Sequence, residues 1–157
     1  MGLGNGSPID SDAIDESVER MRRQLDTGVF EVQFQYQKGE PFSPRRDGTH
    51  RAARVTVMPG IHQRGGYFDI QWWQNGDYKY HYREKGLEFR FRREEVNQST
   101  KKPVQHFHPP DDLDKHRKSC IEVEQPPSLV TIAVLKTWWE AVKNSDENVV
   151  NAQNGLP

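Results

Sequence analysis

Residues 68–92 read FDIQWWQNGDYKYHYREKGLEFRFR, and they carry the clearest structural signal in the chain. Apolar and polar side chains alternate through three short runs, which is the period of half-buried strands. Asn75-Gly76 predicts a type I′ hairpin turn between the first two runs, and Glu84-Lys85-Gly86 predicts a second tight turn. We therefore predict a three-stranded meander with one apolar face. Its other face would carry Lys79, His81, Arg83, Glu88, Arg90 and Arg92.

The flanking sequence extends this sheet and adds two helices. Apolar residues at Ile14, Val18, Met21 and Leu25 fall on one helical stripe, which predicts a helix over 11–25. Residues 30–36 and 54–58 alternate as strands, and 129–143 predict a second helix. The fold class is therefore α+β, an antiparallel meander of about 5–6 short strands flanked by an N-terminal and a C-terminal helix. We predict a single domain over 11–143, a flexible N-terminus over 1–10 and a flexible polar tail over 144–157.

The C-terminal helix has two neighbouring apolar stripes. We predict that the stripe containing Leu135 and Trp139 packs on the sheet, and that Trp138 stays partly exposed on the flank.

Composition and charge narrow the class of protein. Cys120 is the only cysteine, so an intrachain disulfide framework and a Cys-x-x-Cys metal knuckle are excluded. No apolar run reaches the ~18 residues of a membrane span, and the first residues lack the features of a secretory signal. We therefore expect a cytoplasmic protein. Residues 79–118 carry eleven Lys/Arg against seven Asp/Glu, which suits a polyanionic partner, but composition alone favours a solvated sheet face with mixed charges.

A His-rich segment follows the meander. It contains His106 and His108, which would point the same way in an extended chain, with His116 nearby. Such imidazoles can bind a divalent metal, or they can serve as acid and base in phosphodiester cleavage. The segment can also be a polar loop that happens to contain histidines. We favour acid–base chemistry and expect no metal and no other cofactor.

The polar face of the meander offers a second set of candidates. Arginine forks suit phosphate geometry, and His81 lies among them. Trp73 would fall on this face, where it could stack a nucleobase or be covered by a loop. The predicted catalytic residues are His81, Arg90, His106 and His108. The predicted nucleic-acid-binding residues are Lys79, Arg83, Arg92, Arg93 and Trp73.

These motifs resemble, over residues 78–142, the TumE-type toxins of toxin–antitoxin pairs. The resemblance is carried by Tyr80-His81-Tyr82, by residues 87–91, by the His/Pro loop 106–110 and by Pro127-Ser128-Leu129. It implies a small cytoplasmic toxin that is encoded beside a helix-turn-helix antitoxin and inhibits growth through RNA. The family usually has an Asp-Asn pair where this chain has Arg92-Arg93. If that pair is catalytic in the family, the difference implies an inactive or differently specific protein.

We therefore expect a toxin-like component of a toxin–antitoxin pair that acts on RNA by metal-independent cleavage. The alternative is a non-catalytic module that binds nucleic acid or protein. Expected partners are the antitoxin and RNA but no membrane, and the sequence leaves both a monomer and a homo-oligomer open.

Overall fold

The structure is a computed structural model that describes residues 8–25, 31–38, 50–94, 104–121 and 124–153. It confirms the α+β class, with two helices and seven antiparallel strands in place of the expected 5–6. Neither helix within these ranges combines the length and apolar character needed to cross a bilayer. The helices are α1 (Ser11–Leu25) and α2 (Pro127–Asn144). The strands are β1 (Glu31–Lys38), β2 (His50–Met58), β3 (Gly66–Trp72), β4 (Tyr78–Glu84), β5 (Leu87–Arg93), β6 (Gln105–His108) and β7 (Arg117–Lys118).

The seven strands form one meander in which every strand pairs antiparallel with the next along the chain. The β3–β4 turn differs from the predicted type I′, because only Gly76 has a positive φ (93°) in it. The Gly76 amide donates to the Trp73 carbonyl and the Trp73 amide to the Asp77 carbonyl, so the turn is a longer one closed by glycine. Between β4 and β5, Gly86 takes the positive φ of 82° that the tight turn requires.

The two faces of the sheet separate by residue type, as the alternation predicts. Phe68, Tyr80, Tyr82, Phe89 and Phe91 are fully buried on the face covered by the helices. The opposite face, which we call the open face because α1 and α2 pack on the other side of the sheet, carries Asp69, Gln71, Lys79, His81, Arg83, Glu88, Arg90, Arg92, His106 and His108. The predicted register of β4 and β5 is therefore confirmed.

Both helices lie against the same face of the sheet, and one hydroxyl group joins them. The Tyr80 hydroxyl lies 2.8 Å from the Ser17 hydroxyl of α1 and 2.7 Å from the Thr131 hydroxyl of α2. It also accepts a hydrogen bond from the Trp72 indole N–H at 3.0 Å. The predicted apolar stripe of α1 is buried in full.

The orientation predicted for α2 is wrong. Trp138 is fully buried against Phe68 and Tyr82, with ring centroids 5.7 and 6.1 Å away. The Val130–Val134–Trp138 stripe therefore faces the sheet, and Trp139 is only partly buried. The buried face of the sheet carries bulky aromatic rings. The helix stripe that packs on it therefore combines one large ring, Trp138, with small side chains such as Ala141.

Both ends of the described chain contact the domain. The Asp10 amide donates to the Trp72 carbonyl, and Ile9 forms an isolated bridge with Trp73, so this part of the expected flexible N-terminus lies against the end of β3. Residues 147–152, expected to be part of a polar tail, form a 3-10 helix whose Val150 is fully buried. The packed domain therefore extends beyond Lys143.

Candidate functional site

The strand register arranges the predicted site residues of the open face in two adjacent rows. In one row, His81 of β4 is opposite Arg90 of β5, which is opposite His108 of β6. In the next row, Lys79 is opposite Arg92, which is opposite His106. Directly opposite residues in antiparallel strands have Cβ atoms about 5 Å apart. The sheet therefore brings the four predicted catalytic residues onto one surface.

Several cations of this surface are neutralised by nearby carboxylates. Arg83 lies 3.3 Å from Glu88, and Arg92 lies 3.0 Å from Glu94. Arg54 makes a two-point contact with Asp69, at 2.8 and 3.0 Å.

Lys79 and Arg90 differ, because neither has an ion-pair partner within the part of the chain that the structure describes. The pKa of Lys79 is lowered to about 8, first by burial and then by the positive charges of Arg92 and Arg90. Burial, followed by the charge of Arg92, also lowers the pKa of Arg90. Excess positive charge is thus concentrated between β4 and β5, and a bound anion would relieve it.

His81 lies inside this positive region and is only 4 % exposed. Burial and the charges of Arg90, Arg83 and Lys79 lower its pKa to about 3, so the imidazole is neutral at pH 7. The His81 Nε2 atom accepts a hydrogen bond from Arg83 Nε at 3.3 Å and lies 3.5 Å from a Glu88 carboxylate oxygen. A neutral imidazole at this position can accept a proton but cannot donate one as an imidazolium.

His106 and His108 belong to a three-histidine cluster with His116. The ring centroids are 4.9 Å apart for His106 and His108, 5.1 Å for His106 and His116, and 4.5 Å for His108 and His116. The first two side chains are buried and the third is half-buried. His108 Nδ1 lies 2.6 Å from the Leu113 carbonyl oxygen, to which it donates, so the loop after β6 folds over this ring. Burial, with Arg90 second among the factors that lower it, reduces the pKa of His108 to about 3.

Two of the predicted nucleic-acid-binding residues lie elsewhere. Arg93 is on the helix-covered face, 6 % exposed, where its guanidinium contacts Asp77 at 2.8 Å and Glu124 at 2.7 Å. Trp73 is 2 % exposed, because the Ile9 segment pairs with it, and so it offers no ring face to a base. Lys79, Arg83 and Arg92 do lie on the open face. The departure from the Asp-Asn pattern therefore changes the open face only at Arg92.

His116 is the residue that the site prediction left out. Its place in the cluster follows from the pairing of β6 with β7, in which Phe107 is opposite Arg117 and His106 is opposite Lys118, and no sequence pattern indicates that pairing. Continuing that ladder by one residue brings His116 beside His108.

A family model described as "Toxin TumE" matches residues 14–145 of the chain. The match includes α1 and the first strands, which lie outside the resemblance seen over residues 78–142. No curated protein and no solved structure matches the chain.

Proposed function

The chain belongs to the TumE toxin family, and from this premise we propose that it is a toxin that cleaves RNA at the open face. Membership implies an antitoxin partner. The observation that carries the proposal is the pair of cations, Lys79 and Arg90, that have no ion-pair partner among the described residues and lie beside the buried neutral imidazole of His81. This combination offers positive charge to a phosphate. His81 Nε2 would offer its lone pair to a proton once the Arg83 Nε–H, which donates to it at 3.3 Å, turns to the phosphate instead. An RNA target also agrees with action in the cytoplasm.

Arg90 would hold the phosphodiester, and Arg92, whose Nη2 atom already contacts Glu94, would add its remaining N–H donors. They occupy neighbouring positions on β5, each opposite one of the groups that would move protons. A guanidinium binds phosphate oxygens through parallel N–H donors, and it stays charged despite the lowered pKa of Arg90. An RNA phosphate between them would separate their like charges and lower the repulsion that the free protein bears.

His81 and Lys79 would then act as base and acid. The ribose 2′-oxygen attacks the adjacent phosphorus as its proton passes to the imidazole. The bond from phosphorus to the 5′-oxygen breaks, and that oxygen takes a proton from the Lys79 ammonium. The products are a 2′,3′-cyclic phosphate and a 5′-hydroxyl, and no water or metal ion is consumed. The pKa of about 8 keeps Lys79 mostly charged at pH 7 yet more acidic than an ordinary lysine.

The low pKa of His81 makes it a weak base in the free protein. After burial, the second cause of this low pKa is the positive charge of Arg90. A bound phosphate would offset that charge, so substrate binding would raise the pKa of His81 toward its ordinary value. The base would thus gain strength only when RNA is in place. His81 would therefore be the general base, a role that the sequence suggested for His106 or His108. The rings of those two residues contact each other and His116 instead.

The test is cleavage of a 5′-labelled RNA by the purified chain. Wild-type protein and Lys136→Gln, which removes an exposed cation from α2 on the far side of the sheet, should both release fragments ending in a cyclic phosphate. His81→Gln and Lys79→Gln should each slow cleavage by about 10²–10⁴-fold, the usual contribution of a positioned acid or base. Intact RNA with tight binding would instead establish the non-catalytic module, and absence of both binding and cleavage would overturn RNA as the target.

A further inference from the structure

We propose that His106, His108 and His116 form a binding site for one divalent transition-metal ion of the Zn²⁺ type. Each residue offers one ring nitrogen, and these three atoms lie within 4.8 Å of one another. Three histidines with an open fourth position are an established zinc ligand set. The inference departs from the sequence-based expectation that no metal is bound, and it is independent of the proposed RNA cleavage.

The strongest evidence for a bound metal ion comes from the surroundings of His108. Its Nδ1 atom donates to the Leu113 carbonyl, so its Nε2 atom keeps the lone pair. That Nε2 atom is buried and has no hydrogen-bond partner among the described residues. Metal-binding histidines commonly have this arrangement, in which a carbonyl fixes one nitrogen so that the other faces the ion. A buried acceptor with no partner is costly in a folded protein, and a metal ion would remove that cost.

The backbone supplies the remaining geometry. His106 and His108 are two residues apart on β6 and therefore share a face. His116 directly precedes β7, the strand that pairs with β6. Tetrahedral coordination at 2.0–2.1 Å places ligand nitrogens about 3.4 Å apart. The ring nitrogens, which lie within 4.8 Å of one another, would need to approach by up to about 1.4 Å, through small side-chain rotations of the three histidines.

The charge around the three histidines indicates which kind of ligand would occupy the fourth coordination position of the metal ion. The three ligands are uncharged in the metal-binding form, and Arg90 lies opposite His108. An ion here would therefore keep its full positive charge beside a guanidinium, and an anionic fourth ligand would stabilise it. The ion would extend the anion-binding surface of Arg90 by one strand.

The experiment is calorimetric titration of the metal-free, full-length protein with Zn²⁺, repeated with Co²⁺, whose visible absorption reports four-coordinate geometry. Wild-type protein should bind one ion with a four-coordinate Co²⁺ spectrum. His108→Ala and His116→Ala should each weaken binding more than about 100-fold, because loss of a ligand exceeds the 10–100-fold effect of losing a supporting residue. His62→Ala is the matched control, since His62 is exposed and contacts Glu147 instead; it should bind as wild type does.

Two results would overturn the proposal: no saturable Zn²⁺ binding by the wild-type chain, or unchanged affinity in folded His116→Ala. His116→Gln serves as a second variant, and circular dichroism confirms that each variant is folded. Metal binding is measured without RNA, so a failure to bind Zn²⁺ would not affect the proposal of RNA cleavage. Equally, a failure to cleave RNA would not affect the proposal of a metal site.

Discussion

Tyr80→Phe should destabilise the protein strongly although it removes a single oxygen atom. The fully buried Tyr80 hydroxyl contacts Ser17 of α1, Thr131 of α2 and the Trp72 indole. It is therefore the polar connection between both helices and the sheet. Its removal leaves the phenyl ring in place, so the apolar packing is retained and the hydrogen bonds are tested alone.

The magnitude follows from the groups left without partners. The Trp72 indole N–H can only donate, so it loses its acceptor outright. The Ser17 hydroxyl still donates to the Ala13 carbonyl at 2.9 Å and is partly compensated. The Thr131 hydroxyl loses its contact with Tyr80. Two buried groups that lose a partner, at about 1–2 kcal/mol each within the usual ~1–3 kcal/mol for such a group, predict a loss of about 2–4 kcal/mol in the free energy of unfolding.

Urea denaturation followed by tryptophan fluorescence measures this loss, and thermal melting should show Tm falling by roughly 4–16 °C for a domain of this size. The matched control is Tyr67→Phe, a half-buried tyrosine of β3 whose ring lies under the Arg54 guanidinium at 4.2 Å. It should stay within about 0.5 kcal/mol of wild type. A Tyr80→Phe protein as stable as Tyr67→Phe would refute the connecting role of this hydroxyl.

The buried Tyr80 hydroxyl also predicts that the folding stability of the protein decreases at alkaline pH. Burial raises the pKa of Tyr80 to about 12, while an unfolded tyrosine ionises near 10. Between these values the unfolded state has lost its proton and the folded state has not, so stability falls as pH rises from 10 to 12. The fall should be shallower in Tyr80→Phe, and equal slopes would contradict it.

Four further changes test other parts of the structure. His81 has a folded pKa of about 3 against 6.5 unfolded, so its stabilising contribution is present above pH 6.5 and is lost as pH falls toward 3; His81→Gln should flatten that part of a urea-based stability profile. Arg93→Met should cost about 3–5 kcal/mol, because it removes the guanidinium that faces the buried Asp77 carboxylate. The RNA affinity of the folded fraction should not change, and weaker RNA binding would mean that Arg93 does contact RNA. Glu84→Gln should speed amide hydrogen exchange at residues 61–63, whose N–H groups all donate to this carboxylate, and unchanged exchange would contradict its role. Arg90→Gln should reduce the slope of log affinity for single-stranded RNA against log salt by about 0.7, and an unchanged slope would exclude a phosphate contact.

The meander and its two faces were predictable because alternation is a local property. Tyr80 and Phe89 are buried, and Lys79 and Arg90 lie opposite, as period 2 requires. The α1 boundaries also agree, since Asp10 caps the helix by accepting from the Ala13 amide at 3.0 Å. In each case the neighbours that decide the conformation are within a few residues.

The rest depends on contacts between distant parts of the chain. β6 lies in a polar, proline-containing segment that gives no strand signal, and pairing with β5 orders it. Arg93 continues the alternation of Phe89 and Phe91 onto the helix-covered face, where its guanidinium donates to Asp77, the residue that directly precedes the neighbouring strand β4. Trp138 faces the sheet although the sequence predicted otherwise. Helix α2 has two neighbouring apolar stripes, and the volume of the side chains at the contact determines which of them packs on the sheet. The three-histidine cluster required the β6–β7 register, which no local pattern reveals.

The most direct test of the open face as the toxic surface is growth after induced expression without the antitoxin. Wild-type protein and Lys136→Gln should arrest growth, because neither alters the open face. The double variant Lys79→Gln/Arg90→Gln should permit growth at an equal level of folded protein, since it removes the two cations that have no carboxylate partner in the described structure. Growth arrest by the double variant as strong as that by wild type would contradict the account.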